Sequence, residues 1–151
     1  MSVAVLTEAF DPQAEQAAFC AGRKDVGAVA SFVGHCRDAS DGRRVTSLYL
    51  DYYPGFTEKE MARIAEIAIA RFGVMETRIV HRAGLIKPGE PIVLALAAAE
   101  HRAAAFVAVM FMMDYLKTDA PFWKREEGPE GVRWVEPRES DRKARAIWEQ
   151  S

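Results

Sequence analysis

Two lysines in the C-terminal third of the chain are the clearest candidates for chemistry. Lys117 ends an apolar stretch that predicts a long helix, and Lys124 follows the Pro121 break on a predicted strand. If the chain brings them together, each ammonium lowers the pKa of the other, which makes a lysine useful as a proton donor or nucleophile. A simpler interpretation also fits the spacing. In it, Lys117 is solvated at a favourable helix end and Lys124 lies along the surface beside aromatic residues.

A second set of residues has the chemistry of an anion site. Arg37 follows Gly34, His35 and Cys36 just past a predicted strand, and His101 and Arg102 begin the long helix, whose free N–H groups attract anions. The alternatives are a surface ion pair of Arg37 with Asp38 and solvated side chains at the helix start. Cys36 could be a nucleophile, but no base stands at a fixed spacing from it, so a small packing residue is favoured.

The elements that must position these residues alternate between strand and helix patterns. The pattern predicts an α+β fold, a capping box of Thr57 with Glu60, and a buried strand over Ile92–Ala99 that is apolar on both faces. His81 is interpreted as a structural residue at a strand end, and the aromatic residues Tyr49, Tyr52, Tyr53 and Phe56 as core or interface. The predicted strands are Val3–Thr7, Val26–Val33, Val45–Tyr53, Met75–His81, Ile92–Ala99, Phe122–Glu126 and Val132–Val135. The predicted helices run from Asp11 to Gly22, from Thr57 to Gly73 and from His101 to Thr118. Residues 38–44 are predicted to be a loop, and the segment from Ser140 (140–151) is predicted to be a helix or a mobile tail.

The length of the last predicted helix limits what one chain can do. His101 and Lys117 are sixteen residues apart, or about 24 Å at ~1.5 Å per residue. Both cannot touch one small ligand within a chain whose helix is intact. They serve different sites, or a second subunit completes the pocket, so a homodimer with shared sites is worth proposing.

Composition excludes several classes of protein. The chain has 151 residues, half of them hydrophobic, a net charge of −2 and a pI near 5.9, which disfavours disordered proteins and basic nucleic-acid coats. Two cysteines are too few for a disulfide framework or a structural zinc site. The apolar stretches at 91–99 and 103–113 are too short to span a membrane, and the start of the chain has no secretory signal pattern. We therefore expect one domain over 1–151, in the cytoplasm, with no membrane or nucleic-acid partner.

Long segments of the sequence resemble one known family, the large catalytic subunit of molybdopterin synthase. The most specific match is the run from Met113 to Glu126, which contains YLKTDAPFWKRE. The resemblance extends from about Val3 to Trp148. Its other segments are Gly27–Phe32, Gly34–Asp38, Leu50–Lys59, Val80–Gly84, Pro88–Glu90, His101–Arg102 and Trp134–Glu136.

The resemblance implies a fold, a reaction and partners. The fold is an α/β hammerhead with an additional antiparallel sheet. The family inserts two sulfurs into cyclic pyranopterin monophosphate (precursor Z) to form the dithiolene of molybdopterin, in molybdenum cofactor biosynthesis. Sulfur arrives as a thiocarboxylate on the Gly-Gly tail of a small ubiquitin-like subunit. Two large subunits form a dimer with a small subunit at each end, a heterotetramer, and the large subunit needs no cofactor or metal.

The resemblance also implies roles for individual residues. Lys117 and Lys124 match the lysines of the sulfur-transfer centre. The remaining matches are to substrate-holding or pocket-lining positions, with Arg138 aligned only near a basic position of the family: His35, Cys36, Arg37, His101, Arg102, Arg125, Glu126 and Arg138.

Two other functions compete with this interpretation. One is a dimeric scaffold that binds a ubiquitin-like partner without doing chemistry, which would have no need for Lys117, Lys124 and Arg37 in one pocket. The other is a phosphate-ester hydrolase or acyltransferase that uses Cys36 or His101, which thiol alkylation would inactivate if Cys36 is the nucleophile.

Overall fold

The computed structural model describes residues 1–150 and contains two main sheets with helices around the first. The helices are α1 (Pro12–Cys20), α2 (Phe56–Phe72), α3 (Arg102–Leu116) and α4 (Glu139–Ile147). The strands are β1 (Ser2–Leu6), β2 (Ala28–His35), β3 (Ala39–Ser40), β4 (Arg43–Arg44), β5 (Ser47–Tyr52), β6 (Glu76–Arg82), β7 (Gly84–Ile86), β8 (Pro91–Ala99), β9 (Phe122–Gly128) and β10 (Gly131–Val135).

The first sheet has the order β1-β6-β8-β2, with β1 and β6 parallel and the other pairs antiparallel. Strand β8 is apolar on both faces because it is interior and covered on both sides. Ala95 and Ala97 pack toward the core beneath α2 and α3, whereas Leu94 and Leu96 pack toward Phe10 and Phe19, which lie before and within α1. This confirms the predicted buried strand.

The second sheet is antiparallel throughout, with the order β10-β9-β5-β7. Strand β9 is interior, so its register is fixed by pairing with β5 on one side and β10 on the other. Phe122, its first residue, packs against the small core of this sheet and also against the main core under α3. The predicted α+β fold, with an added antiparallel sheet, is confirmed.

The start of α2 differs from the predicted capping box. The helix begins at Phe56, with Gly55 as N-cap at φ 84°, and the Gly55 N–H donates to Glu58 Oε2 (2.6 Å). Thr57 is fully buried; its hydroxyl accepts from the Tyr53 N–H (3.0 Å) and donates to the Pro121 carbonyl (3.1 Å). The prediction of Thr57 and Glu60 as the cap was wrong, because a glycine with positive φ starts the helix earlier and Glu58 supplies the carboxylate.

The structure adds three short strands that hydrophobic periodicity did not predict. β3 and β4 form a small hairpin within the predicted loop, and β7 pairs with β5 through Leu85 opposite Tyr49. Two or three residues are too few to show an alternating pattern.

The segment after Ser140 is largely helix α4, which packs beside α3. Trp148 is the C-cap residue of α4, and its indole ring lies against the rings of Phe72 and Phe111 (centroid distances 5.7 and 5.5 Å). The indole N–H donates to Asp114 Oδ2 (2.7 Å). Arg145 donates to both carboxylate oxygens of Asp119 (2.7 and 3.2 Å). This end of the chain is therefore attached to the turn that follows α3.

Candidate functional site

Lys117 and Lys124 lie on either side of a tight connection between α3 and β9. Lys117 is the C-cap of α3, and the Asp119 N–H donates back to the Tyr115 carbonyl (2.7 Å), which turns the chain. Pro121 then prevents further helix, and Lys124 is the third residue of β9. Burial lowers the pKa of Lys124, and the charge of nearby Lys117 lowers it further. The structure therefore brings the two lysines together.

A small pocket lies beside Lys124, between β9 and the end of β2. Its volume is about 40 Å³, and its lining residues are His35, Cys36, Arg37, Ala39, Ser40, Val45, Leu48, Ile92, Lys124 and Glu126. Arg37 is close enough to Lys124 to lower the pKa of the lysine. This volume is well below the ~300 Å³ at which ligand pockets begin, so a substrate of pterin size would extend beyond this pocket.

Cys36 is buried in the pocket wall rather than presented as a nucleophile. Its side chain is 5% exposed, and burial raises the pKa of the thiol, although Lys124 opposes that rise. A thiol with a raised pKa is mostly protonated at neutral pH and reacts slowly. The geometry agrees with a packing residue.

Glu126 connects the pocket to the start of α4 through a chain of ion pairs. Glu126 is 8% exposed, and its carboxylate accepts from Arg133 (2.9 Å), which also pairs with Asp41 (3.4 Å). Asp41 accepts in turn from Arg138 (2.9 Å). Arg138 therefore lies at the far end of this chain of contacts, outside the pocket lining.

Arg125 lies on the opposite face of β9 from the pocket. Side chains alternate along a strand, so Lys124 and Glu126 share one face and Arg125 takes the other. Its guanidinium lies over the rings of Tyr49 (5.0 Å) and Trp134 (5.8 Å). Tyr49 is only partly covered, and Tyr53 and Phe56 are exposed, so these aromatic residues are not core within one chain.

His101 and Arg102 lie at the other end of α3 from Lys117. His101 is an N-cap with no side-chain capping bond, and its exposed ring is paired with Glu100 (3.5 Å). Helix α3 is continuous from Arg102 to Leu116, so the predicted separation of about 24 Å holds. Within one chain, these two residues do not join the lysines.

His81 belongs to the lysine site, which sequence reasoning did not predict. Its ring stacks on Phe122 (centroids 3.8 Å apart, planes at 18°), and its Nδ1 lies 2.9 Å from the Arg82 carbonyl. Burial lowers the pKa of His81 to about 4, and Lys117 and Lys124 contribute to the lowering. No spacing signal near His81 could have revealed this, because the contacts come from residues about forty positions away.

The assembled site is cationic, and burial shields part of it, including Lys124, from water. Lys117, Lys124 and Arg37 can bind an anionic substrate or a carboxylate and stabilise negative charge that develops in a reaction. Among residues 1–150, no group of three or more His, Cys, Asp or Glu side chains is placed to hold a metal ion. No helix in the same range is long and apolar enough to cross a membrane.

Comparison with known proteins identifies the family. The model of the family described as "MoaE protein" matches residues 5–119. The molybdopterin synthase catalytic subunit of Pseudomonas aeruginosa is 49% identical over 150 residues, covering 99% of this chain and 100% of the relative. The Burkholderia ambifaria molybdopterin biosynthesis MoaE protein has a TM-score of 0.83 at 43% identity, covering 98% of this chain and 97% of that one.

A more distant solved structure has the same fold. The crystal structure of molybdopterin synthase from Staphylococcus aureus has a TM-score of 0.79 at 27% identity, covering 87% of this chain and 94% of that one. The relatives match over nearly all of the chain, and the family model matches residues 5–119. The chain belongs to the MoaE protein family, the family of molybdopterin synthase catalytic subunits.

Proposed function

We propose that this chain is a sulfurtransferase, the catalytic subunit that converts cyclic pyranopterin monophosphate into molybdopterin. The sulfur donor is the C-terminal thiocarboxylate of a small ubiquitin-like subunit. The observation that carries the proposal is the approach of Lys117 to the partly buried Lys124 beside Arg37 and the pocket. The reaction is inferred from the family, and the positive charges of Lys117, Lys124 and Arg37 are suited to that reaction.

The chemistry needs positive charge at two points. The cyclic phosphate of the substrate is an anion, which Arg37 suits through charge-assisted hydrogen bonds. When thiocarboxylate sulfur adds to an electrophilic carbonyl carbon of the pterin side chain, a C–S bond forms, the C=O π bond breaks, and the oxygen leaves as water after protonation, so that the tail is acyl-linked to the substrate. Water then attacks the acyl carbon, the acyl C–S bond breaks, the tail leaves as a carboxylate and the sulfur stays on the pterin as a thiolate. Negative charge develops in both steps, and fixed cations stabilise it.

We assign different tasks to the two lysines. Lys117 does acid or electrostatic work at the reacting carbon, and Lys124 steadies the substrate and the tail. The side chains of His35, Cys36 and Glu126 line the pocket beneath. Arg125 and Arg138 contribute from outside it, through the opposite face of β9 and through Asp41 respectively.

A second copy of the chain supplies the rest of the anion site. His101 and Arg102 are too far from Lys117 within one chain, but Arg102, Phe106 and Met110 share one stripe of α3 at spacings of four residues. Phe106 and Met110 are 64% and 61% exposed. An apolar stripe of this kind supports a homodimer in which Arg102 reaches the neighbouring site, with a small subunit on each large subunit in a heterotetramer.

The cysteines support a cytoplasmic location. Cys20 and Cys36 are both free, as is usual for proteins in reducing compartments. We propose the cytoplasm on this basis.

Reconstitution tests the function. The protein is mixed with its thiocarboxylated small subunit and cyclic pyranopterin monophosphate, and the dithiolene pterin is measured as its fluorescent oxidised derivative. We expect product only when all three components are present. A stable complex of the two proteins that makes no product would favour the scaffold, and a loss of product on thiol alkylation would favour a Cys36 enzyme.

The same assay tests Lys117. We expect Lys117→Ala to abolish product with its fold intact by circular dichroism, whereas Lys24→Ala, which changes an exposed lysine in a loop, keeps the wild-type rate. A wild-type rate for Lys117→Ala would remove Lys117 from the mechanism.

A further inference from the structure

His81 is a partly buried histidine for which the reaction described above has no task. Along β6, Ile79 packs into the core beneath α2 and α3 and Val80 into the core on the opposite face. Because side chains alternate, His81 lies on the same face as Ile79, the face of the first sheet that α2 and α3 cover, and α2 is the helix that packs on β6. Phe122 stacks on the ring from the start of β9. The imidazole therefore lies against the first residue of β9, two residues before Lys124, and the charge of Lys117 reaches it from the end of α3.

The hydrogen bond at Nδ1 determines which ring nitrogen is available. The Arg82 carbonyl can only accept, so the contact of 2.9 Å requires a proton on Nδ1. The pKa of His81 is lowered to about 4, so the ring is neutral at physiological pH. A neutral ring with its proton on Nδ1 has an unprotonated Nε2, which can only accept a hydrogen bond.

The charged groups that act on the ring are lysines. Lys117 and Lys124 both lower the pKa of His81, with Lys117 the larger contributor. The Arg82 guanidinium is directed elsewhere, to Glu90 (3.3 Å) and the Leu85 carbonyl (2.9 Å). An ammonium is a strong donor with three N–H groups, and it needs an acceptor when water is displaced by substrate.

We propose that His81 is a positioning residue for sulfur transfer, with its unprotonated Nε2 accepting a hydrogen bond from Lys117 and aiming that ammonium at the reacting carbon. The inference rests on the proposed function of the site. It gives the stacked, backbone-anchored imidazole a specific task, which is to hold a flexible side chain that leaves the end of a helix. No proton is transferred to His81 in this role.

Two substitutions separate positioning from structure. The amide nitrogen of His81→Asn can replace Nδ1 as donor to the Arg82 carbonyl but leaves nothing at the place of Nε2. His81→Gln reaches the place of Nε2 with an amide oxygen that can accept from Lys117. In the reconstituted complex, we expect His81→Asn to lower kcat about 10- to 100-fold while KM for the pterin stays within about twofold, and His81→Gln to recover most of the rate.

The outcomes are distinct. If His81→Asn keeps the wild-type kcat, or both variants lose activity equally, His81 does not position Lys117. If the wild-type complex itself makes no product, the proposed function fails, and the result does not depend on His81. The tautomer is measured without any variant, by nitrogen NMR of the wild-type protein at neutral pH. A protonated Nδ1 with a bare Nε2 supports the inference, and a protonated Nε2 overturns it even if His81→Asn does not fold.

Discussion

At the scale of single residues, Lys124 occupies a place that is unfavourable for its charge. Burial and the neighbouring Lys117 and Arg37 all lower its pKa, and only Glu126 and Cys36 act in the other direction. The folded protein therefore binds this proton less tightly than the unfolded chain does. The charge of Lys124 weakens the fold below its lowered pKa, and stability rises as the pH passes from that value toward 10.5.

This predicts that Lys124→Met stabilises the protein while removing its activity. Methionine keeps most of the length of the side chain and removes a partly buried charge, so we expect the free energy of unfolding at pH 7 to rise by about 0.5–2 kcal/mol in urea denaturation. The matched control is Lys24→Met in an exposed loop, which should change stability by less than about 0.5 kcal/mol. Loss of stability in Lys124→Met would show that the ammonium is well compensated.

His81 gives a second pH dependence, in a lower range. Its pKa is about 4 in the fold and about 6.5 in the unfolded chain, so folding releases this proton at pH values between the two. The stabilising contribution is complete above pH 6.5 and is lost as pH falls toward 4. We expect the wild type to lose about 2 kcal/mol more than His81→Gln between pH 7 and pH 4.5 in urea denaturation. Parallel stability curves for the two proteins would contradict the buried, neutral state of His81.

The sequence predicted the residues of the site unevenly, for a physical reason. Lys117 and Lys124 stand near each other along the chain, so a helix, a proline break and a strand were enough to bring them together. His81 meets them only because the end of β6 lies against Phe122 at the start of β9, and that contact is a property of topology. Arg125 was placed by the resemblance among pocket residues, whereas strand alternation places it against Tyr49 and Trp134.

At the scale of elements, α4 holds the turn that separates the lysines. Arg145 forms two hydrogen bonds with Asp119, lies over the ring of Tyr115 (4.5 Å) and also pairs with Glu149. Asp119 in turn accepts from the Thr118 hydroxyl (2.8 Å). The helix thus fixes the chain between Lys117 and Lys124 from a segment that lies outside the site.

We expect Arg145→Ala to loosen this turn. The loss of a half-buried charged hydrogen-bond partner should cost about 1–3 kcal/mol in unfolding free energy, and amide exchange should increase at residues 118–122. The matched control on the same helix is Arg142→Ala, because Arg142 is exposed and its ion pair with Glu139 is long (3.9 Å). Equal exchange at 118–122 in both variants would show that α4 does not hold the turn.

Helices and strands were predicted where they are long enough to show a regular pattern of apolar residues. The nine residues of β8 and the fifteen of α3 are long enough for burial to impose a pattern. The strand β7 has three residues and is defined by its pairing with β5. The start of α2 is set by the positive φ angle of Gly55, whereas the sequence pattern predicted Thr57 as the N-cap.

At the scale of the whole molecule, the length of α3 is the reason we propose that two chains together form the anion site. We expect a mixed dimer with Lys117→Ala in one chain and Arg102→Ala in the other to keep about half of the wild-type activity. One of its two sites then combines an intact Lys117 from one chain with an intact Arg102 from the other, two residues that lie about 22 Å apart along α3 within a single chain. Differently tagged chains, purified sequentially, allow the measurement in the reconstituted assay.

The matched control places both substitutions in the same chain, opposite a wild-type chain. If sites are shared, each site of this dimer has one defect and activity is lost. If each site lies within one chain, the opposite result is expected. The dimer with both substitutions in one chain then keeps half of the wild-type activity, and the mixed dimer is inactive.

The two lysines differ in how freely they can move. Lys124 is on a strand with neighbours on both sides, opposite Leu50 in β5 and Val135 in β10. Lys117 stands where a helix ends, so its side chain can swing without disturbing a ladder of hydrogen bonds. Molybdopterin needs two sulfurs on adjacent carbons, and the reacting position must change between the first and the second. We infer that one amine serves as a stationary reference point for the proposed reaction, and that the other, once it leaves the His81 ring, follows the reaction from carbon to carbon.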